Sequence, residues 1–238
     1  GMRQIEVKPD PASGLAQCAQ PIEVVRRNGT IDHHRGAVDL AGLQQGKDNL
    51  VMPAAEADFL RAAYGRHDVI LEYGTGGSTR LAASGEHSLI MGVESDADWA
   101  RNLETAIRGE FPAANLHIHH VDIGRTRKWG YPAGDREWRN FHLYPQSVWD
   151  QPWFRHPDLV LIDGRFRAGC LLTTLFRITR PVTVLFDDYS GRPHYAAMLE
   201  GFAEPDETIG RMAVFHLEPT PVPAARMTDI VSFLSVPD

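Results

Sequence analysis

Between residues 69 and 187 the apolar positions gather into runs of strand length, at 69–73, 88–94, 116–121, 158–163 and 182–187. The stretches between them, near 77–84, 95–109, 168–179 and 191–202, repeat their apolar residues with helical spacing. Strands alternating with helices predict parallel strands joined by right-handed crossovers, because a parallel neighbour is reached only by a long return across one face of the sheet. Ahead of the first strand, Pro53 suits an opening helical turn, and Ala54, Ala57, Leu60 and Ala63 form an apolar stripe that stops at Gly65. Two later apolar runs, 211–218 and 228–236, are split by Pro219, Pro221 and Pro223. With no room for a helix between them, they are expected to pair as a carboxyl-terminal antiparallel hairpin.

Two segments break the alternation. Residues 1–51 are interrupted by Pro9, Pro11, Gly14, Pro21, Gly29, Gly36, Gly42 and Gly46, so an irregular N-terminal arm is expected there, leaving 52–238 as the folded domain. Residues 124–157 hold Trp129, Trp138, Trp149 and Trp153; so aromatic a loop is expected to be a lid or binding insert rather than disorder.

Composition narrows the partners. A formal charge of -7 and a pI near 5.9 argue against a phosphate-reading surface, so no nucleic-acid partner is expected. No apolar run approaches the length of a membrane span. Cys18 and Cys170 stand far apart with no CxxC pair, which offers neither a zinc framework nor a disulfide scaffold and suggests a reducing, cytoplasmic setting. The tract His117-Ile-His119-His120 looks like a metal site, but strand alternation sends His120 to the face opposite His117 and His119. The pair His33-His34 falls in the irregular arm.

Chemistry concentrates first in Glu72-Tyr-Gly74-Thr75-Gly76-Gly-Ser78, a glycine-rich turn between the first strand and the helix that follows. Gly74 and Gly76 let the backbone bend sharply and approach a ligand, and helix N-terminal amides then face it. Twenty residues beyond Gly74, Glu94 closes the second strand, where an acid accepts hydrogen bonds from a ribose diol. A dinucleotide fingerprint would need a third glycine at the position of Thr79 and fails.

These residues resemble the first two motifs of class I S-adenosylmethionine-dependent methyltransferases, over roughly residues 52–238. The resemblance implies an α/β, Rossmann-like, seven-stranded and mostly parallel sheet ending in an antiparallel hairpin. It also implies S-adenosylmethionine as cofactor: Glu72, Gly74, Thr75, Gly76 and Ser78 would form the turn around its methionine part, Glu94 would hold the ribose, and Asp122 with Ile123 would meet the adenine. Asp163 would join them from the end of the fourth strand.

Asp163, Asp187 and Asp188 each follow an apolar strand, which brings three carboxylates to one edge of the sheet. This looks like the metal-dependent catechol-type O-methyltransferases, and Mg²⁺ or Ca²⁺ would suit such hard oxygen ligands. The alternative is that Asp163 acts alone on cofactor or substrate while Asp187 and Asp188 pair with Arg165, Arg167 or Arg192. That family's lysine base is absent, since the segment reads Gly164-Arg-Phe-Arg167 and arginine stays protonated. Asp163, Asp188 and His194 are therefore the candidate catalytic groups, with His142 a further one. Arg165, Arg167 and Arg192 suit an anionic acceptor. The expected function is methyl transfer to a small molecule, on oxygen; the alternative is a protein that binds S-adenosylmethionine without catalysis, as a sensor or partner subunit. The long arm and the hairpin are candidate contacts for a homodimer.

Overall fold

The computed structural model describes residues 50–238, so most of the expected N-terminal arm, with Cys18 and the His33-His34 pair, lies outside the described residues. Helix α1 (Ala54–Tyr64) leads into β1 (Val69–Tyr73), then α2 (Gly77–Ala83), β2 (Leu89–Glu94), α3 (Ala97–Glu110) and β3 (Leu116–His120). After the insert come β4 (Leu159–Ile162), α6 (Arg167–Arg177), β5 (Val182–Phe186) and α7 (His194–Leu199), then β6 (Glu207–Ile209), β7 (Met212–Leu217) and α8 (Met227–Phe233). The insert itself contributes α4 (Trp138–Phe141) and α5 (Leu143–Gln146). The strands and helices expected between residues 52 and 202 are all present, within three residues at most of their ends.

The strands form one seven-stranded sheet in the order β3-β2-β1-β4-β5-β7-β6. The first five run parallel, while β7 is antiparallel to both β5 and β6. The sheet is covered on both faces, which is why its inner strands read as unbroken apolar runs. On one face Ile70, Ile90, Leu159 and Leu161 pack with α1, α2 and α3 through Leu60, Ala82, Leu103 and Ile107. On the other, Leu71, Met91, Val160 and Val184 pack with α6, α7 and α8 and with the insert. Asp96 starts α3 by accepting hydrogen bonds from the Asp98 and Trp99 amides at 3.1 and 2.9 Å. His117 stacks on Trp153 and His119 lies edge-on to the same ring, whereas His120 is exposed, as strand alternation requires. Among the described residues no helix is long and apolar enough to cross a membrane.

The closing antiparallel pair is present, but its partners differ from the expectation. The run 211–218 supplies β7, yet its hairpin mate is β6, reached through a tight turn at Gly210-Arg211 where Gly210 has φ +58°. The run 228–236 forms α8 instead of a strand, because Ile230, Phe233 and Leu234 lie three and four residues apart and turn one face onto the α6 side of the core. Only three residues of β6 are needed, since Glu56 of α1 anchors the turn by accepting the Arg211 amide at 2.9 Å.

The tryptophan-rich insert divides into two parts. Phe141, Tyr144, Val148 and Trp149 are buried against the sheet, with the Trp149 indole donating to the Tyr73 hydroxyl (2.7 Å) and Tyr73 donating to the Pro145 carbonyl (2.6 Å). Trp129 and Trp138 stay on the surface, 71% and 56% exposed. We expect Trp149→Ala to cost about 3–5 kcal/mol in urea unfolding and Trp129→Ala to stay within about 0.5 kcal/mol of wild type.

Beneath the glycine turn, the fully buried Glu72 accepts hydrogen bonds from Tyr64 and Thr79, and Ser78 adds a third. The Thr79 hydroxyl also accepts the Gly76 amide at 2.9 Å, so the carboxylate fixes the turn's shape through one intermediary. Burial outweighs these hydrogen bonds and pushes the Glu72 carboxyl up from 4.5 to about 7. The folded chain therefore holds the extra proton between those values, and this contribution to stability falls as pH rises through the window. Unfolding across a pH series should show wild type losing up to about 3 kcal/mol relative to Glu72→Gln between pH 4.5 and about 7, with a flat difference on either side.

Candidate functional site

Strand register brings the sequence-predicted residues to one edge. Tyr73 of β1 pairs with Val93 of β2 and Ile162 of β4, and Ile162 pairs with Phe186 of β5. One residue further along, the Gly74 amide donates to Val93 (2.9 Å), Asp163 to Tyr73 (2.9 Å) and Asp187 to Ile162 (3.0 Å). Gly74, Glu94, Asp163 and Asp187 therefore stand side by side at the carboxyl ends of β1, β2, β4 and β5. The chain winds outward from β1 to β3 and then returns to β4 on the other side of β1, so the edge between β1 and β4 is a topological switch point.

Gly74 is demanded twice: its φ is +90°, and a Cβ there would stand 2.6 Å from both the Cα and the amide nitrogen of Gly164. The close approach is thus to the β4 loop's own backbone. At Gly76 a Cβ would meet nothing within 4 Å, so this part of the turn borders open space. Ser78 and Glu72 are drawn together under the turn, in the core.

Glu94 is 7% exposed and tied to its surroundings through both oxygens. One accepts the Ser95 and Asp96 amides (2.7 and 3.0 Å), the other the Thr75 hydroxyl (3.0 Å); the Thr75 carbonyl in turn accepts the Trp99 indole (2.9 Å). Burial raises the Glu94 carboxyl above its ordinary range. The insert leans on this acid, for the Gly130 carbonyl accepts the Ser95 hydroxyl at 2.9 Å and Gly130 itself has φ +67°. Asp122 is exposed beyond β3 and accepts the Gly124 amide (2.9 Å), while Ile123 is buried in the apolar core.

At the ends of β4 and β5 the carboxylates are organised by arginines. Arg167 is almost wholly buried and donates to the carbonyls of Gly164 (3.0 Å), Asp187 (2.5 Å) and Asp163 (3.1 Å) and to the Asp163 carboxylate (3.0 Å). Asp188, with φ +60°, meets Arg211 at 2.8 Å, Arg192 at 3.0 Å and Arg167 at 3.7 Å. Three guanidinium groups occupy that carboxylate, which does not suit the base role expected of it. Asp187 is 5% exposed and keeps one buried oxygen without a partner. Asp163 leaves 39% of its side chain open to solvent. Desolvation pushes its carboxyl upward, Arg167 opposes the shift, and Asp187 and Asp188 add to it.

The three aspartates do not fit a divalent ion. Arginines already neutralise Asp188 and Asp163, and no group of three potential ligands is found among the described residues. The alternative expectation holds only in part. Asp188 pairs with Arg167 and Arg192, and also with Arg211 from the β6–β7 turn. Asp163 does not stand alone but pairs with Arg167, the Asp187 side chain keeps a buried oxygen without a partner, and Arg165 is not part of the network. His142 is exposed at the junction of α4 and α5. His194 opens α7 with half its side chain exposed, its ring on Tyr195 and its Nε2 3.9 Å from a carboxylate oxygen of Asp238.

Sequence reasoning overlooked Tyr144, whose buried hydroxyl lies 3.4 Å from the Val93 carbonyl between the first and fourth strand ends, and also Arg211 and Asp238. Tyr144 carried a signal, the aromatic density of the insert; the other two reach the site only through the tertiary fold.

No family model matches the chain, and no curated protein matches it. Among solved structures, a methyltransferase-like protein from Silicibacter pomeroyi DSS-3 is 46% identical, covering 79% of this chain and 97% of that one with a TM-score of 0.76. Cofactor-bound Rv0187 from MTB is 15% identical over 72% of this chain and 83% of that one, with a TM-score of 0.49. The O-methyltransferase TomG from Streptomyces achromogenes, in complex with SAM, is 16% identical over the same shares with a TM-score of 0.47. With the first of these sharing nearly half its residues across almost its whole length, the chain belongs to the class I S-adenosylmethionine-dependent methyltransferase family.

Proposed function

We propose that the protein transfers the methyl group of S-adenosylmethionine to a hydroxyl oxygen of a small-molecule acceptor, with Asp163 as general base and without a divalent ion. The observation that carries this reading is the meeting of the glycine turn, Glu94 and Asp163 at the switch point between β1 and β4. The turn suits such a donor, since the space beside Gly76 is free of protein atoms and a buried acid stands at the end of the next strand. Thr75 and Glu94 would hold the ribose, with Asp122 placed toward the adenine. When bound, the donor supplies a sulfonium methyl with its leaving group already activated.

The protein's remaining task is to orient the acceptor and remove its proton. Asp163 accepts the hydroxyl proton while the oxygen lone pair forms the new C–O bond and the C–S electron pair leaves with sulfur. A carboxylate raised by burial and by its acidic neighbours is a better base at neutral pH than an ordinary one. Arg167 holds that carboxylate in place and limits the rise. Arg167 stands close to where a lysine base serves the catechol-type enzymes, and its own carbonyl and carboxylate contacts make it a positioning residue.

Three outcomes follow from these roles. In calorimetric titration Glu94→Ala should weaken S-adenosylmethionine binding at least about tenfold, through loss of charged hydrogen bonds to the ribose. Methyl transfer to a panel of hydroxylated metabolites should rise with pH through the raised Asp163 pKa, and Asp187→Asn, which removes a neighbouring charge, should move that limb to lower pH. EDTA should leave the rate within about twofold, as expected of acids paired with arginines rather than with a metal. Donor binding with no transfer to any acceptor would favour the non-catalytic reading instead.

A further inference from the structure

The segment after α8 returns to the catalytic edge. Gly169 of α6 lets the end of α8 come close, since a Cβ there would stand 2.9 Å from the Phe233 carbonyl and 3.1 Å from the Leu234 Cα. Five residues on, Asp238 is inserted beside the first turn of α6 with only 8% of its side chain exposed. Its Oδ1 accepts the Arg167 amide at 3.1 Å, and Arg165 donates to its main-chain oxygen at 3.0 Å. Its Oδ2 is buried without a hydrogen bond, 3.9 Å from His194 Nε2, and Arg165 Nε is likewise buried and unpaired.

A buried acceptor and a buried donor in one cluster, each without a partner, mean that the aspartate meets the cationic surroundings without matching them. Desolvation outweighs Arg167, His194 and Arg165 and pushes the Asp238 carboxyl upward, so the anion is held incompletely. Arg167 and Arg192 are committed to Asp163 and Asp188, whereas Arg165 directs its guanidinium to Asp238 and to the face of Tyr131 at 6.0 Å. Arg165 also lies two residues beyond Asp163, in the same β4–α6 loop as the proposed base.

We propose that Arg165, the Arg167 amide and His194 form a subsite for a carboxylate on the acceptor, and that Asp238 occupies it as an intramolecular stand-in that a substrate displaces, its side chain at the Arg167 amide and His194 and its main-chain oxygen at Arg165. This rests on the methyl-transfer reading for the word acceptor, but not for the anion site itself. A planar carboxylate from outside can take two parallel bonds from the arginine fork, which the tethered aspartate does not. The tether makes Asp238 a competitor at high effective concentration, so the site's apparent affinity for external anions is reduced by the fraction of molecules in which it is filled.

Benzoate is a suitable probe, titrated by calorimetry into the full chain without donor. Asp238→Ala should bind benzoate about tenfold or more tightly than wild type, and adding Arg165→Gln should abolish the gain. Asp238→Gly likewise removes the side chain from the Arg167 amide and His194 and carries the same expectation if the alanine variant does not fold. Equal benzoate affinity in wild type and in these variants, or insensitivity to Arg165→Gln, would overturn the proposal; so would binding of inorganic phosphate in place of benzoate. S-adenosylmethionine titrated separately keeps the two readings apart: donor binding without benzoate binding removes the subsite alone, and benzoate binding without donor binding removes the methyl-transfer reading alone.

Discussion

The buried guanidinium of Arg167 is the constraint on which the carboxyl edge depends. Three strand-end aspartates in one cleft would repel one another, and a buried carboxylate without a partner costs several kcal/mol. Arg167 meets this by binding the β4 and β5 loops at once, through three carbonyls and the Asp163 carboxylate, with Asp188 a little farther off. Arg192 and Arg211 complete the neutralisation of Asp188 from the loop before α7 and from the β6–β7 turn. The arginines therefore do the neutralising that a divalent ion would otherwise do, and they leave Asp163 as the acid with substantial solvent access.

The other half of the edge is organised by an acid instead of a base. Glu72 is held under the glycine turn by hydroxyls, and Thr79 relays that hold to the Gly76 amide. Gly74 then fits against Gly164, so the glycine turn proposed to face the donor and the loop that carries Asp163 and Arg165 are in backbone contact. A shift in either loop is felt by the other because interiors are close-packed. The two loops are thus set against each other by two glycines, and the Asp163 charge acts on the buried Glu72 beneath the turn as well.

The fold was largely legible in the sequence because its signals are local and periodic. Runs such as 69–73 and 159–162 are apolar throughout since both faces of the sheet are covered, and Asp96 announces its helix as a capping residue. The run 228–236 was misread because a short apolar run carries both periods, and the proline-rich link before it favoured a hairpin. What decides for α8 is the core surface of α6, which no local window contains. The site divides in the same way. Gly74, Glu94 and Asp163 follow from strand ends, and Arg167 and Arg192 could be named as partners of Asp188; Arg211 could not, because it lies 23 residues away and arrives through a hairpin whose turn is held by Glu56 of α1.

The arginines in the segment after Asp163 also explain why the expected resemblance to metal-dependent O-methyltransferases stops where it does. A lysine ammonium is a point charge that can lose its proton when buried, whereas a guanidinium stays charged and binds in a fixed planar fork. Arg167 is such a permanent cation, and it meets the carboxylates of Asp163 and Asp188, which are then not free ligands. In the proposed reading the base role falls to the carboxylate that the arginine positions. Asp187 matters here although it touches no cation through its side chain: its buried, unpartnered oxygen beside Asp163 opposes ionisation of its neighbour, offsetting part of the Arg167 effect. The proton affinity of the proposed base is accordingly raised first by desolvation and then adjusted by the opposed charges of Arg167 on one side and Asp187 and Asp188 on the other, so a change to Asp187 moves the pH at which the proposed site works.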